Sequence, residues 1–266
     1  MKTLNRTIAK SLLCLLFTIS SLPVAFATGS TQIWIPSTDI QGFLNPHLGI
    51  DNYIRTEKDA NGVIGSGIYD AGLTMGVLPF HKVQLEVGAD YLSMGDNNLA
   101  SPGKNYDGHP IYFNAKLGFP EDSLFKFCPA IAFGAYNFGT KKDLTDYNIT
   151  YALLAKTIPF IGRLSAGYYI GNEKLLIDDL GNKANSGLLL SWDRAMTEIS
   201  DKLWLAVDYQ GGQNYLGALN VGFSWAFSKN VSVIFGYDIY NNKKAFYNTN
   251  NVNANSFTTQ LDINFK

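Results

Sequence analysis

The sequence predicts an all-β fold: a transmembrane, antiparallel, up-and-down barrel of about twelve strands. Three observations predict it. Apolar and polar residues alternate with a period of two in about a dozen segments of about ten residues. These segments follow a stretch with the pattern of a secretory leader. The connections between them are short and long in turn. Successive side chains of a strand point to opposite faces, so each segment has one apolar and one polar face. In a bilayer no water satisfies a sheet edge, so such faces are compatible with a closed barrel that meets lipid outside and a lumen inside.

Residues 1–27 have the leader pattern. Lys2, Arg6 and Lys10 precede an apolar run from Leu12 to Val24, and Ala25-Phe26-Ala27 fits the cleavage rule, with Thr28 next. Cys14 lies too deep in the apolar run for a lipoprotein site. Residues 28–266 are then expected to form one barrel domain, with a short periplasmic lead over 28–45. After the leader no run approaches about 18 apolar residues, so no transmembrane helix is expected. The leader takes three of the 21 Lys and Arg residues, which leaves 18 bases against 22 acids and a net charge of −4. That balance excludes a strongly basic nucleic-acid binder. Cys128 is the only cysteine after the leader, so an internal disulfide is excluded.

The expected strands are 46–55, 65–78, 83–92, 111–119, 125–137, 147–158, 162–171, 186–193, 203–211, 216–227, 231–240 and 257–265. The third places Val83, Leu85, Val87, Ala89 and Tyr91 on one face. The tenth does the same with Leu219, Val221, Phe223, Trp225 and Phe227, and the eleventh with Val231, Val233, Phe235, Tyr237 and Ile239. The last alternates Phe257, Thr259, Leu261, Ile263 and Phe265 with Thr258, Gln260, Asp262 and Asn264. The eighth is the least regular, so ten or fourteen strands remain open. Connections 79–82, 120–124, 159–161 and 228–230 are short, and 93–110, 138–146, 172–185 and 241–256 are longer and polar. Short periplasmic turns and long outer loops have this phase. The tight 211–215 connection and the long 193–202 one break it. Rim aromatics are expected at Phe119, Phe125, Phe160, Trp225, Phe227 and Phe265 on the periplasmic side, and at Tyr91, Tyr209 and Tyr237 on the outer side. A secreted β-sandwich would alternate too, but it does not account for the loop phase.

The segment F-T-T-Q-L-D-I-N-F, 257–265, resembles the C-terminal assembly signal of Gram-negative outer-membrane β-barrels, apart from Lys266 after the final aromatic. The resemblance implies residence in the bacterial outer membrane, contact with its lipid, and insertion by the barrel-assembly machinery. More loosely, DYQGGQNYLGALNVGFSWAFSKNVSVIFGYDIY, 208–240, is similar to outer-membrane transporters of the phenol-degradation MetA-pathway type.

Parity assigns the lumen lining. The inward charges are Asp51, Asp70, Glu86, Asp90, Lys116, Lys126, Lys156, Arg163, Asp193, Asp208, Asp238 and Asp262. Acids come from the first three strands, bases from the next four, and acids from the rest. A closed barrel then has an acidic wall facing a basic wall, a field that orients charged solutes. Asp70, Asp90, Asp208 and Asp238 also fall toward the outer ends of their strands, and Lys126, Lys156 and Arg163 near the periplasmic ends, so an acidic outer mouth favouring cations is expected. The opposite reading has these groups paired across a filled lumen. Inward glycines at 72, 76, 88, 118, 134, 167, 222 and 236 favour an open interior, or ease bending. The expected role is passive passage of small polar or charged solutes. A non-conducting scaffold or adhesin acting through its loops is the alternative, and a hydrophobic or aromatic compound transporter a further one. A lipid-modifying enzyme would need a Ser–His pair, yet neither G-x-S-x-G nor H-E-x-x-H occurs, and His47, His81 and His109 are isolated in sequence. No catalytic residue, cofactor or metal is expected. Asp96-Asn97-Asn98 lacks calcium-loop spacing, and the Asn-rich 241–255 loop reads as solvated.

Overall fold

A computed structural model of the protein describes residues 30–58, 62, 64–94, 106–243 and 255–265. The leader, Asp96-Asn97-Asn98 and residues 244–254 of the Asn-rich loop lie outside the described residues. Twelve strands follow in chain order: β1 (Pro46–Arg55), β2 (Ile68–Gly76), β3 (Gln84–Ser93), β4 (Ile111–Phe119), β5 (Ala130–Gly139), β6 (Asp146–Ile158), β7 (Gly162–Ile170), β8 (Ser186–Ala195), β9 (Leu203–Gln210), β10 (Ala218–Ala226), β11 (Val231–Tyr240) and β12 (Ser256–Asn264). Each pairs antiparallel with its sequence neighbour, and β1 pairs with β12 to close the barrel. The strand count settles at twelve, and the irregular eighth segment forms a full strand.

The period-two pattern dictates the register. In β1–β2, Asp51 stands opposite Asp70 inside, and Ile50 opposite Ala71 outside. Outward positions form an apolar belt that includes Leu73, Val87, Phe113, Phe133, Leu154, Val221 and Phe223, all exposed. Phe223 and Phe235 pack across neighbouring strands with ring centroids 5.4 Å apart. A water-soluble monomer does not carry an apolar surface of this extent. The protein is a transmembrane β-barrel of the outer-membrane kind.

The two ends of the barrel differ. Both Pro46 and Asn264 lie at the end that carries connections 77–83, 120–129, 159–161, 196–202 and 227–230, called here the turn end. The loop end carries 56–67, 94–110, 140–145, 171–185, 211–217 and 241–255. Exposed Phe125, Phe160, Phe227 and Phe265 ring the turn end, and Tyr91 stands near the loop end. One connection is longer than its sequence suggests. Residues 125–129 leave the strand because Asp122 and Phe127 take positive φ (60° and 67°), and Cys128 N–H bonds Phe125 O at 3.1 Å. Lys126 is therefore exposed outside the wall, with its ammonium 5.1 Å from the Phe127 ring centre. The 171–185 loop folds back instead, burying Leu176. At its tip Asp178 accepts the N–H of Asn182 at 2.8 Å and of Leu180 at 2.9 Å. Those bonds, Asn182 first, hold its carboxyl below the usual carboxylate range.

Val221→Arg puts a charge near mid-strand on the lipid face. It is expected to destabilise the barrel by about 2–4 kcal/mol, against about 0–1 for Phe125→Arg at the rim. Denaturant titration in phospholipid vesicles checks both.

Candidate functional site

The lumen contains the chain's own N-terminal segment. The sequence S-T-Q-I-W-I-P-S folds into a tight hairpin: Thr31 bridges Pro36, Gln32 N–H bonds Ile35 O at 2.8 Å, and Ser37 N–H bonds Ser30 O at 3.0 Å. The chain then descends along the wall to Gly76, where Leu44 N–H bonds Gly76 O at 2.9 Å, and turns into β1. Residues 28–45 are expected as a periplasmic lead. Residues 30–41 run inside the barrel instead, because the inward face offers polar partners and the gaps above its glycines.

Four groups of contacts hold the segment. The Asp208 carboxylate accepts the N–H of Ile33 at 2.7 Å and of Trp34 at 3.0 Å, and Asn220 donates to its other oxygen at 2.6 Å. Gln260 donates to Ile33 O at 2.7 Å. The Lys116 ammonium reaches Glu86 at 3.1 Å, Ser30 O at 2.7 Å and Ser37 O at 3.2 Å. Those contacts use all its donors and clamp both ends of the hairpin. Glu86 in turn accepts Ser30 Oγ at 3.0 Å and Gln41 N–H at 2.8 Å. Arg163 bridges Asp39 at 2.7 Å and Asp193 at 2.9 Å, and Asp193 also accepts from Gln32.

The apolar side chains of the hairpin fill the remaining space. A Cβ on Gly236 would come within 2.9 Å of Ile33, one on Gly222 within 3.1 Å of Ile33, and one on Gly118 within 2.5 Å of Ile40. Gly88 faces Thr74 and Asn114, Gly134 the Tyr151 ring, and Gly167 Leu153. These inward glycines make room for side chains, so the open-interior expectation is corrected. Ile35 joins a buried cluster with Tyr112, Tyr147, Leu153, Tyr169 and Leu189 on the β4–β8 side. Gln210 on β9 donates to Tyr136 on β5 at 3.2 Å, a contact across the lumen.

The inward charges are sorted by depth rather than into facing walls. Near the turn end, Lys116 pairs with Glu86 on the adjacent strand, Arg163 with Asp193, and His47 with Asp262 at 3.4 Å. Toward the loop end lie Asp51, Asp70, Asp90, Asp208 and Asp238, of which Asp238 accepts Ser256 Oγ at 2.7 Å. Of the four bases expected to form a wall, Lys116 and Arg163 face inward. Lys126 is outside, and Lys156 sits at the rim with Glu121 at 2.6 Å and Asp122 at 3.3 Å. Sequence reasoning passed over two inward residues. His47 and Arg55 share the parity of Asp51 and are buried, Arg55 with its guanidinium 5.6 Å from the Tyr240 ring centre. Parity alone, applied to every polar residue of β1, finds both. His47 bonds Gln41 and Asn264, each at 3.2 Å.

A cavity of about 150 Å³ lies between the hairpin and the inner face of β1–β5. Asp51, Asp70 and Asp90 line it together with Tyr53, Tyr136 and Tyr215.

No protein-family model and no curated protein matches the chain. Among solved structures, it is similar to an outer-membrane channel from Pseudomonas putida F1 at 10% identity and a TM-score of 0.48, over 85% of this chain and 97% of that one. It is similar to the NanC porin at 10% identity and 0.47, over 82% and 99%. It is also similar to outer-membrane phospholipase A from Escherichia coli at 12% identity and 0.44, over 83% and 92%.

Lys116→Met strands Glu86 without its cation and is expected to cost about 3–5 kcal/mol, while adding Glu86→Gln recovers part of the loss. Unfolding midpoints in detergent measure both. Gly236→Val drives Ile33 from its gap. Hydrogen exchange at the Ile33 and Trp34 amides is expected to speed up while the β-ladders stay protected.

Proposed function

We propose that the protein is an outer-membrane channel for small polar or charged solutes, held closed by its own N-terminal segment. The turn end faces the periplasm and the loop end the exterior. Lipid covers the apolar belt, and β12 with the Phe265 that follows it engages the assembly machinery. No enzymatic role is proposed.

One observation carries the reading: the segment is held chiefly by side-chain hydrogen bonds and ion pairs to a polar wall, through Asp208, Gln260, Lys116, Glu86, Arg163 and Asp193. Hydrogen bonds to charged groups are worth about 1.5–3 kcal/mol each, and water entering the vacated lumen would replace them, so the hairpin's departure is costly and rare but does not require the β-ladders to open. Its departure would uncover charged and polar side chains along the path. The filled lumen also favours a second reading, a non-conducting scaffold that acts through its outer loops.

Planar-bilayer recording separates the two. The full chain is expected to stay near zero conductance with rare openings. A chain lacking residues 30–41, its folding checked by heat-dependent gel mobility, is expected to conduct steadily. If neither form conducts in repeated insertions, the channel reading falls and the scaffold reading stands.

A further inference from the structure

The cavity beside the hairpin is more than leftover space, because its charge is unbalanced. Four carboxylates line it, Asp51, Asp70, Glu86 and Asp90, against one ammonium, Lys116. Lys116 is fully engaged with Glu86 and the hairpin carbonyls. Arg55, its guanidinium 5.6 Å from the Tyr240 ring centre, is not among the lining residues. Asp90 is 8% exposed; one of its oxygens accepts Asn114 at 2.6 Å, and the other, Oδ1, has no partner among the described residues. Asp70 Oδ1 is likewise buried with no partner among them. Two strand ladders bring these acids side by side: Asp51 stands opposite Asp70, and Asp90 opposite the residue two along, Gly72. A carboxylate oxygen buried without a donor is costly, and a bound cation removes that cost.

The other lining residues indicate which cation. Tyr53, Tyr136 and Tyr215 border the same space, and Trp34 stands edge-on to Tyr53 with centroids 5.2 Å apart. Aromatic faces beside carboxylates favour an organic ammonium over a bare ion. Among the described residues, no three carboxylate, imidazole or thiol groups converge to hold a metal ion. The volume sets the size, since about 150 Å³ is room for a benzene-sized molecule.

We propose that this cavity binds a small organic cation, a protonated amine on a ring or chain of roughly benzene size. The site deepens the channel reading by naming its solute class, and it lies on the loop-end side of the hairpin, where a solute from outside arrives first.

Benzylamine at neutral pH is the probe, titrated calorimetrically into the full-length barrel in detergent, with benzyl alcohol and benzoate as uncharged and anionic counterparts. Saturable binding of benzylamine is expected, with both counterparts at least about tenfold weaker. Asp70→Asn and Asp90→Asn are each expected to weaken it on the order of tenfold, and Asp262→Asn, against His47, to leave it unchanged. Gel mobility verifies that each variant is folded, and the comparison of the three probes on the unaltered protein stands if a variant fails. The proposal is overturned by the absence of saturable benzylamine binding, by equal binding of alcohol or benzoate, or by Asn variants that bind as the parent does. Because no membrane is present, a barrel that binds benzylamine but does not conduct keeps this site and loses the channel reading. One that conducts without binding does the reverse.

Discussion

The ion pair between Lys116 and Glu86 joins the N-terminal segment to the barrel wall. Both groups are nearly inaccessible to water, with side-chain exposures of 3% and 1%. Charges so placed need partners on every side. The barrel alone supplies one bond; the N-terminal segment supplies the rest, through the carbonyls of Ser30 and Ser37 and the donors of Ser30 and Gln41. The arrangement is reciprocal. Without the hairpin the pair faces water, and without the pair the hairpin loses its clamp.

The same constraint explains the distribution of charge. Near the turn end, where the segment passes, acids and bases occur in adjacent pairs such as Arg163 and Asp193. Toward the loop end the β4–β8 side is aromatic, with Tyr112, Tyr147 and Tyr169 buried among Ile149 and Leu189. The β9–β12 side is polar, with Asp208 and Asp238 held by Asn220 and Ser256. A lumen of this kind has no uniform axis of charge. It has a neutralised waist and an acidic, tyrosine-lined chamber beside it.

The strands were legible in the sequence because side-chain alternation is local. Segments 46–55, 111–119 and 231–240 match β1, β4 and β11 residue for residue. Lys126 misled because F-K-F-C continues the alternation while the backbone turns at Phe127. The inward glycines were correctly placed but ambiguous, since an empty position reads alike whether water or Ile33 fills it. The hairpin was not legible. Ser30–Ser37 carries no strand period, and its partners lie as far off as Gln260, 227 residues from Ile33. Contacts of that range leave no trace in local pattern.

The closure of β1 on β12 bears on the order of events during assembly. The wall cannot seal until the last strand to be synthesised meets the first. The hairpin immediately precedes β1, so it is already present while the sheet is an open, curling ribbon. It can then act as a mandrel around which the ribbon wraps: Asp208, Asn220 and Gln260 from the late strands find their partners on a piece of chain made before any strand.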